Sequence, residues 1–173
     1  MLLKDNSGGD AVGGKAMLWR TESALKVLFS VFDNDIISYG TEYNEPLWKG
    51  DTAELFITLG RRNRYLELEV NPDGVGYAAA VENREGEFEL EFLREAPFGW
   101  TAKRTETGYE SEWTIPLEKL EALGFDSKNG YFNLYIQDYS AGELRLYALS
   151  PTKCGSFHRP EAFLKLEIGS EEK

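Results

Sequence analysis

The chain has 173 residues, of which 30 are Asp or Glu and 19 are Lys or Arg, so its formal net charge is −11. This length is typical of one globular domain, and we expect residues 1–173 to form a single domain with a loose tail over residues 169–173. The acidic balance argues against a nucleic acid or an anionic membrane surface as partner, since both require clustered basic residues.

Short runs of β-forming residues follow one another along most of the chain. Turn residues separate them, and a series of this kind predicts an all-β fold, here an antiparallel β-sandwich of the jelly-roll type. The predicted strands cover residues 25–32, 53–59, 65–70, 87–92, 109–115, 131–138, 143–149 and 163–168.

One segment, residues 116–124, departs from strand periodicity. It begins with Pro116, repeats leucine at every third position and ends with Gly124. Proline at the first position and glycine after the last are typical of helix ends, so we predict one short helix of about two turns.

The strand at 65–70 alternates apolar and polar residues. Leu66, Leu68 and Val70 are predicted to face the core, and Glu67 and Glu69 to share an outward, solvated face. Because such pairs are frequent in an acidic chain and no carboxyl is distinguished by its surroundings, we do not expect an enzyme.

Trp48 is the most informative candidate for binding. It precedes a strand in a polar segment, and Asp51 and Glu54 follow it at three and six residues. An exposed indole can stack on the apolar face of a sugar ring, and carboxylates can accept sugar hydroxyl groups. The alternative is that Trp48 closes one end of the sandwich and Asp51 caps a turn.

Residues 48–57 resemble the W-x-x-D-x-x-E-[IL]-F-[IV] signature of family 9 carbohydrate-binding modules. Four further segments resemble family motifs in the same order, at residues 18–33, 108–117, 132–138 and 157–163. Together with residues 48–57, they extend the resemblance over roughly residues 15–168. It implies a β-sandwich that binds sugars, often at chain ends, and that is usually appended to polysaccharide-degrading enzymes such as O-glycosyl hydrolases.

The resemblance also implies site residues. The first stacking tryptophan falls on Trp48 and the sugar-binding carboxylate on Glu54. The second stacking tryptophan falls on Phe157, an arginine falls on Glu69 and an asparagine falls on Cys154, so three positions depart from the family. The expected contributors of hydrogen bonds are Glu54 and Asp51, then Asn133, Tyr135, Gln137, Arg64 and Arg159.

Asp33 and Asp35 enclose Asn34 directly after a predicted strand. Clustered carboxylates are ligands for Ca²⁺, and members of the family can hold structural Ca²⁺, so we expect either a structural calcium ion or a turn made by Asx side chains. No other cofactor is expected.

His158 and Cys154 are the only histidine and cysteine, which excludes an internal disulfide and multi-histidine metal centres. His158 is predicted to be a structural residue. A haem-binding relative, with Met17 as the second axial ligand, is an alternative.

The sequence therefore predicts a non-catalytic module that binds a mono-, oligo- or polysaccharide. Besides the haem-binding relative, the alternative to this function is a structural or protein-interaction domain whose sugar site has lapsed. Residues 1–5 contain no apolar signal core, so the protein is cytoplasmic, or extracellular or periplasmic if a signal was removed. Nothing in the sequence indicates its oligomeric state.

Overall fold

The computed structural model describes residues 1–84 and 87–167. Short 3-10 turns lie at Leu47–Lys49 and Pro160–Ala162. The remaining elements, in chain order, are β1 (Leu2–Asp5), β2 (Val12–Arg20), β3 (Ala24–Phe32), β4 (Thr52–Leu59), β5 (Arg61–Val70), β6 (Gly76–Arg84), β7 (Glu87–Phe92), β8 (Gly99–Thr105), β9 (Gly108–Pro116), α1 (Leu117–Ala122), β10 (Tyr131–Ser140), β11 (Glu143–Ala148) and β12 (Leu164–Lys165).

The strands form two layers of a sandwich. The order along the hydrogen-bonded path is β7-β6-β5-β4-β10-β11-β1-β2-β3-β9-β8, with β12 paired to β10. The first layer contains β7, β6, β5, β4, β10 and β11, and the second contains β2, β3, β9 and β8. Strand β1 bonds to both β11 and β2. All pairs of strands are antiparallel, so the predicted fold class is confirmed.

The core lies between the layers, where the inward residues of both meet. Leu55 and Leu68 from the first layer belong to the same buried cluster as Phe29 and Trp113 from the second. Burial of this apolar area drives the two layers together. The outer face of the first layer is thereby free to carry other chemistry.

The predicted strands lie within or close to observed ones, except near the C-terminus. There β12 covers only Leu164–Lys165, and Ile168 and the tail 169–173 lie outside the described residues. Strands β1, β2, β6 and β8 were not predicted. Strand β6 contains three consecutive alanines, which have low β propensity, so only its pairing with β5 and β7 explains it.

Strand β2 contains two consecutive glycines, Gly13 and Gly14. A Cβ atom at Gly13 would overlap the Tyr147 ring, and one at Gly14 would lie 2.6 Å from the Ser30 carbonyl oxygen. These glycines therefore allow close approach of neighbouring groups rather than a turn.

The predicted helix is confirmed as α1. Leu117 and Leu120 are buried against the core, and Gly124 follows with a φ of +104°, a conformation that glycine adopts without strain. No helix within the described ranges is long and apolar enough to cross a membrane.

In strand β5 the prediction for the core face is confirmed, and the prediction of a solvated outer face is wrong. Leu66, Leu68 and Val70 are buried in the core as expected. Glu67 and Glu69 point to the opposite face, but they are only 6% and 1% exposed and not solvated. Side chains from neighbouring strands and from the segment around His158 cover this face, which sequence alternation alone does not reveal.

Candidate functional site

The candidate site lies on the outer face of the first layer. Strand register places Glu54 of β4 opposite Glu69 of β5 and Tyr135 of β10, and places Tyr77 of β6 opposite Glu69. Residues directly opposite in an antiparallel pair share a face. The four side chains therefore project to the same side of the sheet.

A cavity of about 300 Å³ opens on this face, and we call it the central cavity. Its volume is at the lower end of the range for small-molecule sites. Its lining residues are Trp48, Glu54, Phe56, Glu67, Glu69, Tyr77, Phe88, Leu90, Gln137, Leu144, Leu146, Gly155, Ser156, Phe157 and His158.

Trp48 lies at the edge of the central cavity and is 40% exposed. Buried Leu47 anchors the 3-10 turn that carries it. The indole contacts Tyr77 edge-on, with ring centroids 5.6 Å apart at 84°. A large part of the Trp48 surface therefore faces solvent, which favours a binding role over closure of the end of the sandwich.

Gln137 holds the Trp48 turn in place. Its Nε2 donates hydrogen bonds to the carbonyl oxygens of Trp48 at 2.6 Å and Gly50 at 2.9 Å. Gln137, a predicted sugar ligand, lines the central cavity, but its amide nitrogen is already used by the protein. It therefore positions the tryptophan.

Three carboxyl groups, those of Glu54, Glu67 and Glu69, meet in the wall of the central cavity. Each group contributes one carboxylate oxygen, and these three oxygen atoms all lie within 4.8 Å of one another. Glu54 accepts a hydrogen bond from Thr52 Oγ1 at 2.8 Å. The Oε2 atoms of Glu67 and Glu69 are buried and receive no hydrogen bond from residues 1–84 or 87–167.

Burial and mutual repulsion change the acidity of these groups. Burial raises the pKa of Glu54 to about 8 and that of Glu67 to about 7. Burial, together with the neighbouring carboxylates, raises the pKa of Glu69 well above its ordinary value. Three ionised carboxyl groups this close together would repel one another, so the fold favours their protonated forms.

His158 is an uncharged part of the wall near neutral pH. Burial lowers its pKa to about 4. Its Nδ1 lies 2.7 Å from the Tyr65 hydroxyl, and its ring stacks on Phe88 with centroids 4.0 Å apart. Its Nε2 lies 3.9 Å from Glu67 Oε1, which is too long for a hydrogen bond.

These contacts agree with the structural role predicted for His158. The haem alternative lacks its second ligand, because Met17 is exposed on β2 in the other layer. The Phe88 ring covers one face of His158, and His158 Nε2 faces the carboxyl group of Glu67.

Phe157 lines the central cavity but is only 6% exposed. One face of its ring stacks on Tyr135, with centroids 4.1 Å apart at 17°. The predicted second stacking residue is thus a buried wall residue, since one face of its ring is already covered. The exposed aromatic residue that sequence analysis missed is Phe88, on the edge strand β7.

Five predicted sugar ligands lie outside the lining of the central cavity: Asp51, Asn133, Tyr135, Arg64 and Arg159. Asp51 accepts hydrogen bonds from Ile37 N at 2.5 Å and Tyr139 N at 2.7 Å, so it joins the segment before β4 to β10. Asn133 holds Ser150 through bonds to both its N and its O. Arg159 and Arg64 are exposed on the surface. Sugar binding by these residues therefore stays a prediction, which the lining of the central cavity does not support.

A second group of carboxylates involves one of the predicted metal ligands. Oxygens of Asp33, Asp51 and Asp138 lie within 4.8 Å of one another, and all three residues are buried. Asp33 Oδ2 receives no hydrogen bond from any described residue. Asp35 is outside this group, because its Oδ2 instead accepts a bond from Ala141 N at 3.2 Å.

Sequence analysis could have found Glu67 and Tyr77 by a simple extension. Once Glu54 and Glu69 are assigned to one face, period two along β5 adds Glu67, and antiparallel pairing adds the facing residue of β6. No local pattern indicates that Phe88 and His158 come together, since 69 positions (158 − 88 − 1) separate them in the chain.

No family model matches the chain, and no curated protein matches it in sequence. Solved structures do share its fold. A candidate carbohydrate-binding protein from Bacteroides uniformis ATCC 8492 superposes with a TM-score of 0.72 at 14% identity, covering 94% of this chain and 83% of that one.

Two structures of a family 9 carbohydrate-binding module from Caldicellulosiruptor kristjanssonii are also similar. The complex with glucose has a TM-score of 0.63 at 19% identity and covers 92% of this chain and 79% of that one. The complex with cellotriose has a TM-score of 0.62 at 19% identity, with 91% and 76% covered. The fold expected from the family 9 resemblance is thus confirmed.

Proposed function

We propose that the chain is a non-catalytic carbohydrate-binding module whose central cavity takes one terminal sugar ring. The observation that carries the proposal is the exposed Trp48 beside a small cavity with buried carboxyl groups in its wall. The similar folds that bind glucose and cellotriose support it. The resemblance also suggests that the module accompanies an O-glycosyl hydrolase.

In this mechanism Trp48 stacks on one face of the sugar ring. Glu54 and Glu69 accept hydrogen bonds from its hydroxyl groups when the carboxyl groups are ionised, and can donate hydrogen bonds to them when protonated. The buried Phe157 and the partly buried, uncharged His158 provide a wall that excludes water. A cavity of only about 300 Å³ favours a chain end over the middle of a chain.

The test is isothermal titration calorimetry with glucose, xylose, cellobiose and xylobiose on the wild type, on Trp48→Ala and on Trp19→Ala. Trp19 is the matched control, because it is 39% exposed but lies on β2 in the other layer. We expect saturable binding that Trp48→Ala weakens about tenfold and Trp19→Ala leaves unchanged. No binding to any sugar would instead favour a structural domain with a lapsed site.

A structural cation is a second proposal, carried by the unpartnered, buried Asp33 Oδ2. Asp33, Asp51 and Asp138 supply three hard oxygen ligands, which fits Ca²⁺. Burial raises the pKa of Asp51 to about 7, and a bound divalent cation would favour its charged form. Melting curves with calcium, magnesium or EDTA test this, with Asp138→Asn as the site variant and the exposed Asp10→Asn as control.

A further inference from the structure

The central cavity lacks a basic side chain that could balance its acids. Glu54, Glu67 and Glu69 all contribute to its wall, and no Lys or Arg of the described ranges is among its lining residues. The one basic group, His158, is neutral near pH 7 because burial lowers its pKa. The negative charge of this cavity can therefore be balanced by protons or by a ligand.

Two acceptor atoms in this wall are unused by the protein. Glu67 Oε2 and Glu69 Oε2 are buried and receive no hydrogen bond within residues 1–84 and 87–167. Buried polar atoms without partners are unfavourable, so a ligand that donates hydrogen bonds to them gains more than one that cannot. An ammonium group has three donors and a positive charge, which matches three adjacent carboxyl groups.

The remaining walls distinguish an organic cation from a bare metal ion. Trp48, Tyr77 and Phe88 present aromatic rings, and Leu90 and Leu146 present apolar surface. Such walls contribute nothing to coordination of a metal ion, but they contact the carbon skeleton of a ring. They also attract an ammonium group through cation–π interaction.

We propose that the central cavity selects an amino sugar, a pyranose carrying a free ammonium group, over its neutral counterparts. The ammonium group lies against Glu54, Glu67 and Glu69, and the ring stacks on Trp48. This inference rests on the proposed sugar-binding function and names its ligand class.

The experiment compares glucosamine, glucose and N-acetylglucosamine, which share a ring and differ in one substituent. Calorimetry at about pH 6, where the amine is protonated, should give glucosamine an affinity at least about tenfold above that of the other two. Binding of the cation also favours ionised carboxylates, so titrations in two buffers of different ionisation enthalpy should detect proton release.

Glu69→Gln keeps the shape of the side chain and removes its charge. In this variant the ratio of glucosamine to glucose affinity should fall towards one. Glu67→Gln serves as the second variant if Glu69→Gln does not fold, and the exposed Glu110→Gln is the control that keeps the wild-type ratio.

The outcomes separate this inference from the function on which it rests. Equal affinities for glucosamine and glucose overturn the amino-sugar selectivity and leave sugar binding intact. No binding of any sugar overturns both. Binding of Mn²⁺ that requires Glu69 and is not displaced by glucosamine overturns the inference in favour of a metal site.

Discussion

Raising the pH from about 6.5 to about 8 should destabilise the protein, because the fold favours the protonated forms of Glu54 and Glu67. Burial raises their pKa values to about 8 and about 7. An acid with a raised pKa in the folded state binds its proton more tightly there than in the unfolded chain. Its contribution to stability is full below the unfolded pKa and is lost as the pH rises through the folded pKa.

The size of the loss follows from these values. An unfolded glutamate ionises near pH 4.3, and each pH unit over which only the folded state keeps one proton lowers the free energy of unfolding by about 1.4 kcal/mol. Across this window Glu54 accounts for about 2 kcal/mol and Glu67 for about 1 kcal/mol. His158 has the opposite sign, because its pKa is lowered to about 4 in the folded state. An unfolded histidine ionises near pH 6.5, so His158 adds back less than about 0.5 kcal/mol across the window.

Urea unfolding followed by circular dichroism, at constant ionic strength and with EDTA, measures this dependence. The wild type should lose at least about 3 kcal/mol across the window, because Glu69 and Asp51, whose pKa values are also raised, add to the loss in the same direction. Glu54→Gln should lose about 2 kcal/mol less than the wild type. Glu110→Gln, an exposed substitution, should follow the wild type. A pH-independent wild type, or an unchanged slope in Glu54→Gln, would refute the reasoning.

Three further predictions use separate parts of the molecule. Titration with the sugar that binds best should quench tryptophan fluorescence in Trp19→Ala as in the wild type but not in Trp48→Ala; quenching that persists in Trp48→Ala would place the sugar elsewhere. Calcium at about 100 times its dissociation constant should raise the melting temperature by about 5–10 °C, a shift that Asp138→Asn abolishes; an equal shift in the variant would contradict the site. Gly13→Ala should destabilise the fold by about 1–3 kcal/mol in urea unfolding because its Cβ would overlap the Tyr147 ring, while Gly99→Ala, with no atom within 4 Å of the added Cβ, should be close to neutral; similar losses in both would argue against steric overlap.

The sequence was most informative where residue pattern and environment agree. Strand β5 shows this on its core face, where alternation placed Leu66, Leu68 and Val70 correctly. Its other face was misjudged, because whether an outward glutamate is solvated depends on distant segments. His158 and Phe88 meet through tertiary packing, and no local periodicity encodes that contact.

In the candidate site, too, the sequence motif contains residues that line the central cavity and one that does not. Trp48 and Glu54 line the central cavity because they belong to one local motif at the start of β4. Asp51, from the same motif, serves the backbone instead, because its carboxylate meets the N–H groups of Ile37 and Tyr139. The role of a carboxylate in such a motif is fixed by partners that are distant in sequence, so spacing alone could not separate Asp51 from Glu54.

The bonds that hold the Trp48 turn have a consequence for the kinetics of recognition. Gln137 fixes the turn from β10, and Asp51 joins the segment after it to Ile37, so the indole is preorganised without a ligand. Little loop entropy then remains to be lost on binding. Association should therefore occur in one step, with an observed rate that rises linearly with ligand concentration and does not reach the plateau of a slow loop closure.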